Sequence, residues 1–381
     1  MMAEEPPDRR QAYQVLNALP LMGPITLNRL LETFGSPEAV LGAGKQALMR
    51  VPDVGPAVAE SIVAWRDQVP LEREQARMAQ RGIRFITVED AVYPKPLREI
   101  HDPPIGLYAL GHDEPLSQPA VAIVGSRKCT YYGLETARKL AAGLARRGYC
   151  IVSGLARGID GAAHEGALEA GGTTVAVLGN GIDIIYPPEH LELYRTISTG
   201  GRGLILSEFP LGKKAHRQTF PMRNRVVAGM TLATIVVETD LRGGALITAR
   251  FAMEQGRLVG AIPGRIDQAP AAGCLQLIRD GALCVTSVDD IIEELRATAP
   301  IAQMGLPLAA EPEPEATGGA APLSEDEQRI VDTLAGGECL PLDTLCDRLD
   351  LPAPKVSTLL MALELKGRVA KHADGRFEAA G

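Results

Sequence analysis

The chain has 381 residues, 46% of them hydrophobic but only 4% aromatic, and a formal net charge of −8. That length suggests two or three domains, with cores resting on Leu, Ile, Val and Ala. No run approaches the roughly 18 apolar residues of a membrane span, the charged start MMAEEPPDRRQ lacks the apolar centre of a signal peptide, and the six cysteines form no CxxC pair, so a cytoplasmic protein with reduced thiols, no structural metal and no membrane contact is expected.

The charge is unevenly spread. Residues 1–118 carry −4, 119–296 carry +3, 297–321 carry −3 and 322–381 carry −4. Only the middle is positive, and mildly so. A nucleic-acid site must therefore be local, since no generally basic surface exists to provide one.

Residues 1–85 read as a helical domain. LPLMGPITLNRLL (19–31) and VPDVGPAVAESIV (51–63) share the frame apolar-Pro-x-x-Gly-Pro followed by a helix. The repeat resembles the helix-hairpin-helix motif, whose turn offers backbone N–H groups to a phosphate. Leu21 and Asp53 stand where that motif usually has its first glycine, and a carboxylate there repels phosphate. Simple helix packing is the competing reading.

Residues 86–300 alternate strand and helix signals. AVAIVG (120–125) is wholly apolar, as expected of a strand covered on both faces. Leu134, Ala137, Leu140, Ala141, Leu144 and Ala145 then fall on one side of a helix. YCIVSG, TVAVLGN, GLILSE, LATIVVET, LVGAIPG and LCVTS continue the series, giving seven strands. Apolar strands joined by helices imply an α/β core, a Rossmann-like parallel sheet with helices on both faces. Residues 301–322, rich in Pro, Glu, Ala and Gly, read as a flexible linker. Residues 323–381 look like a winged helix: LSEDEQRIVDTL opens with a serine cap, and a third helix carrying Lys355 and Lys366 precedes a two-stranded wing. A net charge of −4 leaves protein contact or autoregulation open beside duplex recognition.

Ligands of such sheets bind beyond the carboxyl ends of the strands, so the loops there hold the candidate chemistry. VGSRKCTYYG lacks the GxGxxG of a dinucleotide fingerprint, and Arg127 sits where a pyrophosphate needs a small residue. What remains is a turn at a helix N-terminus beside a guanidinium, which suits a phosphate; pairing of Arg127 with an acid is the alternative. SGLARGIDGAAH (153–164) places Gly154, Gly158 and Gly161 after Ser153, for close approach of a ligand or for close helix–sheet packing. In GNGIDIIYP, Asp183 and Tyr186 are expected to lock the loop. RQTFPMRNRVVAGM (217–230) sets Phe220 among Arg217, Arg223, Asn224 and Arg225, with Lys213 and Lys214 just upstream. A ring among cations suits a stacked nucleobase whose phosphates meet guanidinium groups; a core ring beside a solvated face is the alternative. No loop offers a nucleophile–base pair.

Together the loops resemble the DNA-processing protein A family (DprA, also called Smf). YPKPLREIHDPP, AIVGSR, SGLARGID, GNGIDIIYP, FPMRNRVVAGM, VVETDLRGGALITA, AIPG and GCLQLIRDGA occur in the family's order over roughly residues 90–297. His190, Gly244, Ala245 and Cys274 depart from its usual residues. The resemblance implies an extended Rossmann-like core that binds single-stranded DNA without catalysis or cofactor. It also implies a homodimer, and help in loading RecA recombinase onto strands coated by single-strand-binding protein, as in natural transformation. The strand-binding positions it implies are Gly125, Ser126, Arg127, Arg217, Phe220, Arg223, Asn224 and Arg225, to which the loop reading adds Ser153, Gly154 and Lys214. Met253, Leu275 and Ile278 match positions on the family's self-association surface. Two alternatives stay open. One is a nucleotide-binding phosphoribohydrolase-type enzyme on a related fold, whose PGGxGTxxE stretch is missing here. The other is a scaffold core with the winged helix as the DNA reader.

Overall fold

All seven apolar runs form strands, and the first five of them are buried along their whole length. The computed structural model of the chain describes residues 6–298, 324–334, 340–349, 351–365, 368–371 and 376–379. It divides into two compact units, residues 1–305 and 306–381. The whole of the expected linker, together with Lys366 and Cys339, lies outside the described residues.

In the first unit, β1 (Arg84–Thr87) and β2 (Gly106–Gly111) precede the expected strands β3 (Ala120–Val124), β4 (Cys150–Ser153), β5 (Thr174–Leu178), β6 (Gly203–Ser207), β7 (Ala233–Val236), β8 (Leu258–Ala261) and β9 (Leu283–Cys284). They form one nine-stranded sheet in the order β1-β2-β6-β5-β4-β3-β7-β8-β9. From β6 to β9 every pairing is parallel, whereas β1 and β2 add antiparallel at one edge. Every residue of β3, β4, β5, β6 and β7 is buried. The domain boundary expected at 85/86 falls inside β1.

The helices before the sheet are α1 (Arg9–Ala18), α2 (Pro24–Phe34), α3 (Pro37–Gly42), α4 (Lys45–Leu48), α5 (Pro56–Val63), α6 (Trp65–Gln68) and α7 (Leu71–Arg81). Within it follow α8 (Lys95–Arg98), α9 (Tyr131–Arg146), α10 (Ile159–Glu169), α11 (Leu191–Thr199), α12 (Thr219–Gly229), α13 (Gly244–Glu254), α14 (Ala272–Arg279) and α15 (Val288–Thr298). Residues of α9, α10 and α15 share one apolar cluster with Val121, Ile123 and Ile151. Alternate residues Ala122, Val124 and Val152 pack with α8, α12, α13 and α14 on the other face, which completes three layers. The early helices continue the first face. Leu16, Leu30, Ile62 and Trp65 belong to a cluster that also holds Phe85, Tyr108 and Ile205.

The hairpin turns keep their shape without the usual glycine. Leu21 and Asp53 adopt φ of 67° and 64°, which costs a side-chain-bearing residue about 1–2 kcal/mol. The Asp53 carboxylate is paired with Arg29 of the other hairpin.

The second unit contains α16 (Glu325–Leu334), β10 (Leu340–Pro341), α17 (Leu342–Leu349), α18 (Ala353–Leu365), β11 (Val369–Lys371) and β12 (Arg376–Ala379). Ser324 and Glu327 form a reciprocal capping box at the start of α16. Ile330, Leu345, Val356, Leu360 and Phe377 make the core. The wing gains a third short strand, β10, paired to β12. Lys355 lies 2.6 Å from Asp326, so the one described lysine of α18 is already paired within its own unit.

Candidate nucleic-acid interface

Strand order places a switch point between β3 and β7: the chain steps outward from β3 to β6, then returns to the other side of β3. Ligands of doubly wound sheets usually enter there. In this chain Glu238, just past β7, fills that place. Its carboxylate accepts from the Thr130 backbone N–H at 2.8 Å and from the Thr130 hydroxyl, and Thr130 in turn caps the Gly133 N–H. The phosphate seat expected at the N-terminus of α9 is thus occupied by the protein's own carboxylate. A strand-end glutamate directly before a loop, in VVETD, was the available signal.

The open hollow lies one step away, over the ends of β4 and β5. The loop after β3 is anchored by the Ser126 N–H on the Glu238 carbonyl at 2.7 Å, and the Ser126 hydroxyl accepts from the Lys128 N–H at 3.1 Å. Gly125 leaves room for Ile159, which a Cβ would approach within 2.6 Å. Gly158, at φ 76°, lets the next loop press on the Ser126 carbonyl. This turn projects Arg127 and Lys128 into solvent.

Phe220 comes from the other side. The Thr219 and His216 backbones close a turn that starts α12, and Pro221 tolerates the first helical turn because no intrahelical partner is lost there. The ring is half-buried and rests on Gly179, where a Cβ would come within 2.9 Å of it. Tyr186 packs beside it at 5.9 Å between centroids, and the Arg127 guanidinium lies over its face at 4.7 Å. Arg127 makes no ion pair among the described residues, so the alternative of an acid partner does not hold. Gly154, Ala156, Asn180 and Pro187 complete the hollow. Lys213, Lys214 and Arg217 are exposed and likewise unpaired among the described residues. The Gly181 N–H donates to the Lys213 carbonyl at 2.8 Å, which holds this cationic loop against the hollow's wall. Asp183 locks the same region as expected: it accepts from the Gly212 N–H at 2.8 Å and pairs with Arg77 and Arg81 of α7.

Three expected contact residues point inward. Arg223 is buried, donating to the Val177 carbonyl at 2.6 Å and to Asn224 Oδ1 at 3.1 Å. Burial pushes its guanidinium down to about 10 despite the opposing charge of Asp160. Its guanidinium fills the space above Gly154, so that glycine serves an internal contact. Arg225 is 3% exposed and tied to Glu208 and, at 3.2 Å, to Asp102. Ser153 is fully buried, its hydroxyl donating to the Ile123 carbonyl at 2.7 Å. Residues two apart lie on opposite sides of a helix, and both arginines are buried because α12 is enclosed almost all round from Arg223 onward: Arg223 meets the end of β5, and Arg225 meets Glu208 and Asp102 on the other side. Asn224 is half-buried. Met253 is exposed on α13, and Leu275 and Ile278 are half-buried on α14.

The family model described as DNA recombination-mediator protein A matches residues 84–296. The chain belongs to that family. A DprA winged-helix model matches residues 312–375, and a tandem helix-hairpin-helix model matches 13–64. The chain is 37% identical to protein Smf of Synechocystis over 94% of this chain and 95% of that protein. Against the DNA processing protein DprA of Streptococcus pneumoniae it is 44% identical over 58% of this chain and 78% of that one. The crystal structure of the Streptococcus pneumoniae protein superposes with a TM-score of 0.65, at 35% identity over 74% of this chain and 97% of that chain. The Helicobacter pylori protein, whose structure is described in terms of its single-stranded DNA binding mode, gives a TM-score of 0.51 at 31% identity over 56% and 96%. No helix among the described residues is long and apolar enough to cross a membrane.

Proposed function

We propose that this chain is a non-catalytic, cytoplasmic recombination mediator that grips single-stranded DNA in the hollow between Arg127 and Phe220. One observation carries the reading: an unpaired guanidinium 4.7 Å above a half-buried ring, beside the exposed cations Lys213, Lys214 and Arg217. A guanidinium on an exposed ring is worth about 0.5–1 kcal/mol. A base stacked on the same ring is worth roughly 1–3 kcal/mol. The base therefore displaces the guanidinium at a net gain, and Arg127 is released to a phosphate. The residues lining the hollow hold no nucleophile with a base beside it. Gly125, Ser126 and Gly154 shape the loops, while Arg127, Lys214, Arg217 and Phe220, with Asn224 at the margin, supply the contacts. That the Helicobacter pylori relative is described as binding single-stranded DNA supports the strand-binding reading.

Self-association through Met253, Leu275 and Ile278 would give a homodimer with two such hollows, raising apparent affinity through effective concentration. In this role the protein helps place RecA recombinase on strands held by single-strand-binding protein, as in natural transformation. The experiment is a salt-titrated binding assay on single strands, duplex and nucleoside monophosphates. Single strands bind best, log affinity falls by about 0.7 per neutralised phosphate for each tenfold rise in salt, and no base is released from the mononucleotides. Equal affinity for duplex contradicts the reading, and base release would favour a phosphoribohydrolase.

A further inference from the structure

We propose that Tyr131 and Tyr132 form a second base-stacking platform, so that a strand held at Phe220 continues past Arg127 and Lys128 onto the first turn of α9. This rests on the strand-binding reading of the hollow. The chain holds eight tyrosines, six phenylalanines and one tryptophan. Every aromatic side chain among the described residues is buried or half-buried except these two, which are 78% and 56% exposed. They stand side by side at the start of α9, and neither hydroxyl has a hydrogen-bond partner among the described residues. Packing thus gives them no role, and exposed rings in pairs are costly to leave in water.

Their setting favours a single strand as the occupant. The two rings follow Arg127 by four and five residues, so at most about 14 Å of chain separates the Cα atoms of Arg127 and Tyr131. Lys128 lies between them, exposed and without an ion pair among the described residues. The turn itself is rigid: Glu238 holds Thr130 by two hydrogen bonds, and its carboxylate packs against Gly133. Because that carboxylate already fills the helix N-terminus, this turn offers a ligand rings and not amides. Bases stack on the rings while the backbone lies over Arg127 and Lys128. A platform fixed in advance loses little freedom on binding. Stacking of this kind accepts any sequence, as a general strand binder requires.

The test uses the full chain with Tyr131→Ala/Tyr132→Ala and Tyr131→Phe/Tyr132→Phe double variants, and oligo-dT probes of about 4 and about 16 nucleotides. The alanine pair weakens the longer strand by about 5-fold or more, binds the shorter one as the parent does, and keeps the salt slope. The phenylalanine pair restores the parent affinity. Unchanged affinity of the alanine pair for the longer strand overturns the platform. A lost self-association in sedimentation without DNA, at unchanged strand affinity, also overturns it and reassigns the rings to a contact between copies. Failure of the hollow itself reads differently, since Phe220→Ala would then leave both probes unaffected.

Discussion

Replacing Arg225 by Met separates a structural arginine from a DNA-contacting one. Arg225 is 3% exposed and is the cation facing Glu208, a buried carboxylate whose Oε2 already lacks a partner. Burial holds the Glu208 carboxyl above its usual range, and Arg225 is the group that opposes this. Removing one partner of a buried pair costs about 3–5 kcal/mol, because the other is left uncompensated. That corresponds to a fall of roughly 1 M or more in the urea midpoint. The pH dependence fixes the cause. Without Arg225 the Glu208 carboxyl rises further, so the folded state binds a proton that the unfolded state has released. Stability then falls as pH rises from the ordinary carboxylate range through the raised folded value. The deficit of the variant is therefore smaller at pH 5 than at pH 8. Adding Glu208→Leu recovers much of the loss, since an apolar pair of similar volume replaces the ionic one. Single-strand affinity, measured where the variant is folded, stays within about 2-fold of the parent, well below the tenfold that 1.4 kcal/mol represents. Lost affinity at unchanged stability would refute the placement of Arg225 inside the fold.

Two further outcomes follow from other sites. Asp183→Asn breaks the pairing with Arg77 and Arg81; because both arginines are well exposed, it costs only about 1 kcal/mol, but amide exchange at Gly212 and Lys213 speeds up, and unchanged exchange would show that α7 does not hold the cationic loop. His164 is fully buried, its ring held at Thr174 Oγ1 at 2.7 Å, and burial pushes it down to about 3. The unfolded chain therefore takes up a proton first, so stability is whole above about pH 6.5 and is lost as pH falls towards 3. Unfolding at pH 4.5 should show His164→Asn spared about 2–3 kcal/mol of the acid loss seen in the parent, and parallel pH profiles would argue against a neutral buried ring.

Much of the fold was legible because it is local. Seven strands announced themselves as apolar runs, five of them because they are buried along their whole length. β1 and β2 escaped notice because RFIT and GLYALG pair antiparallel at the sheet edge and lie outside the strand–helix alternation. The cap at Ser324 and the lock at Asp183 were readable for the same reason: a fixed residue type at a fixed place in a turn. The site was legible in part. Arg127 and Phe220 lie far apart in sequence, yet loops at neighbouring strand ends bring them into contact. What sequence could not provide was direction. Arg223 and Arg225 read as cations beside the ring, but only packing shows that α12 is enclosed on opposite sides, so that both are buried. The filling of the α9 N-terminus by Glu238 left only the strand-end glutamate of VVETD as a sign, because the contact itself depends on β7 lying next to β3.

The most direct test of the account is a double-mutant cycle on Arg127→Ala and Phe220→Ala, read as single-strand affinity across a salt titration with thermal stability measured alongside. The predicted result is that Arg127→Ala flattens the salt slope by up to about 0.7, Phe220→Ala lowers affinity at an unchanged slope, and both variants stay folded. An unchanged slope and affinity for Arg127→Ala, or a collapse in stability for Phe220→Ala with binding otherwise intact, would contradict it.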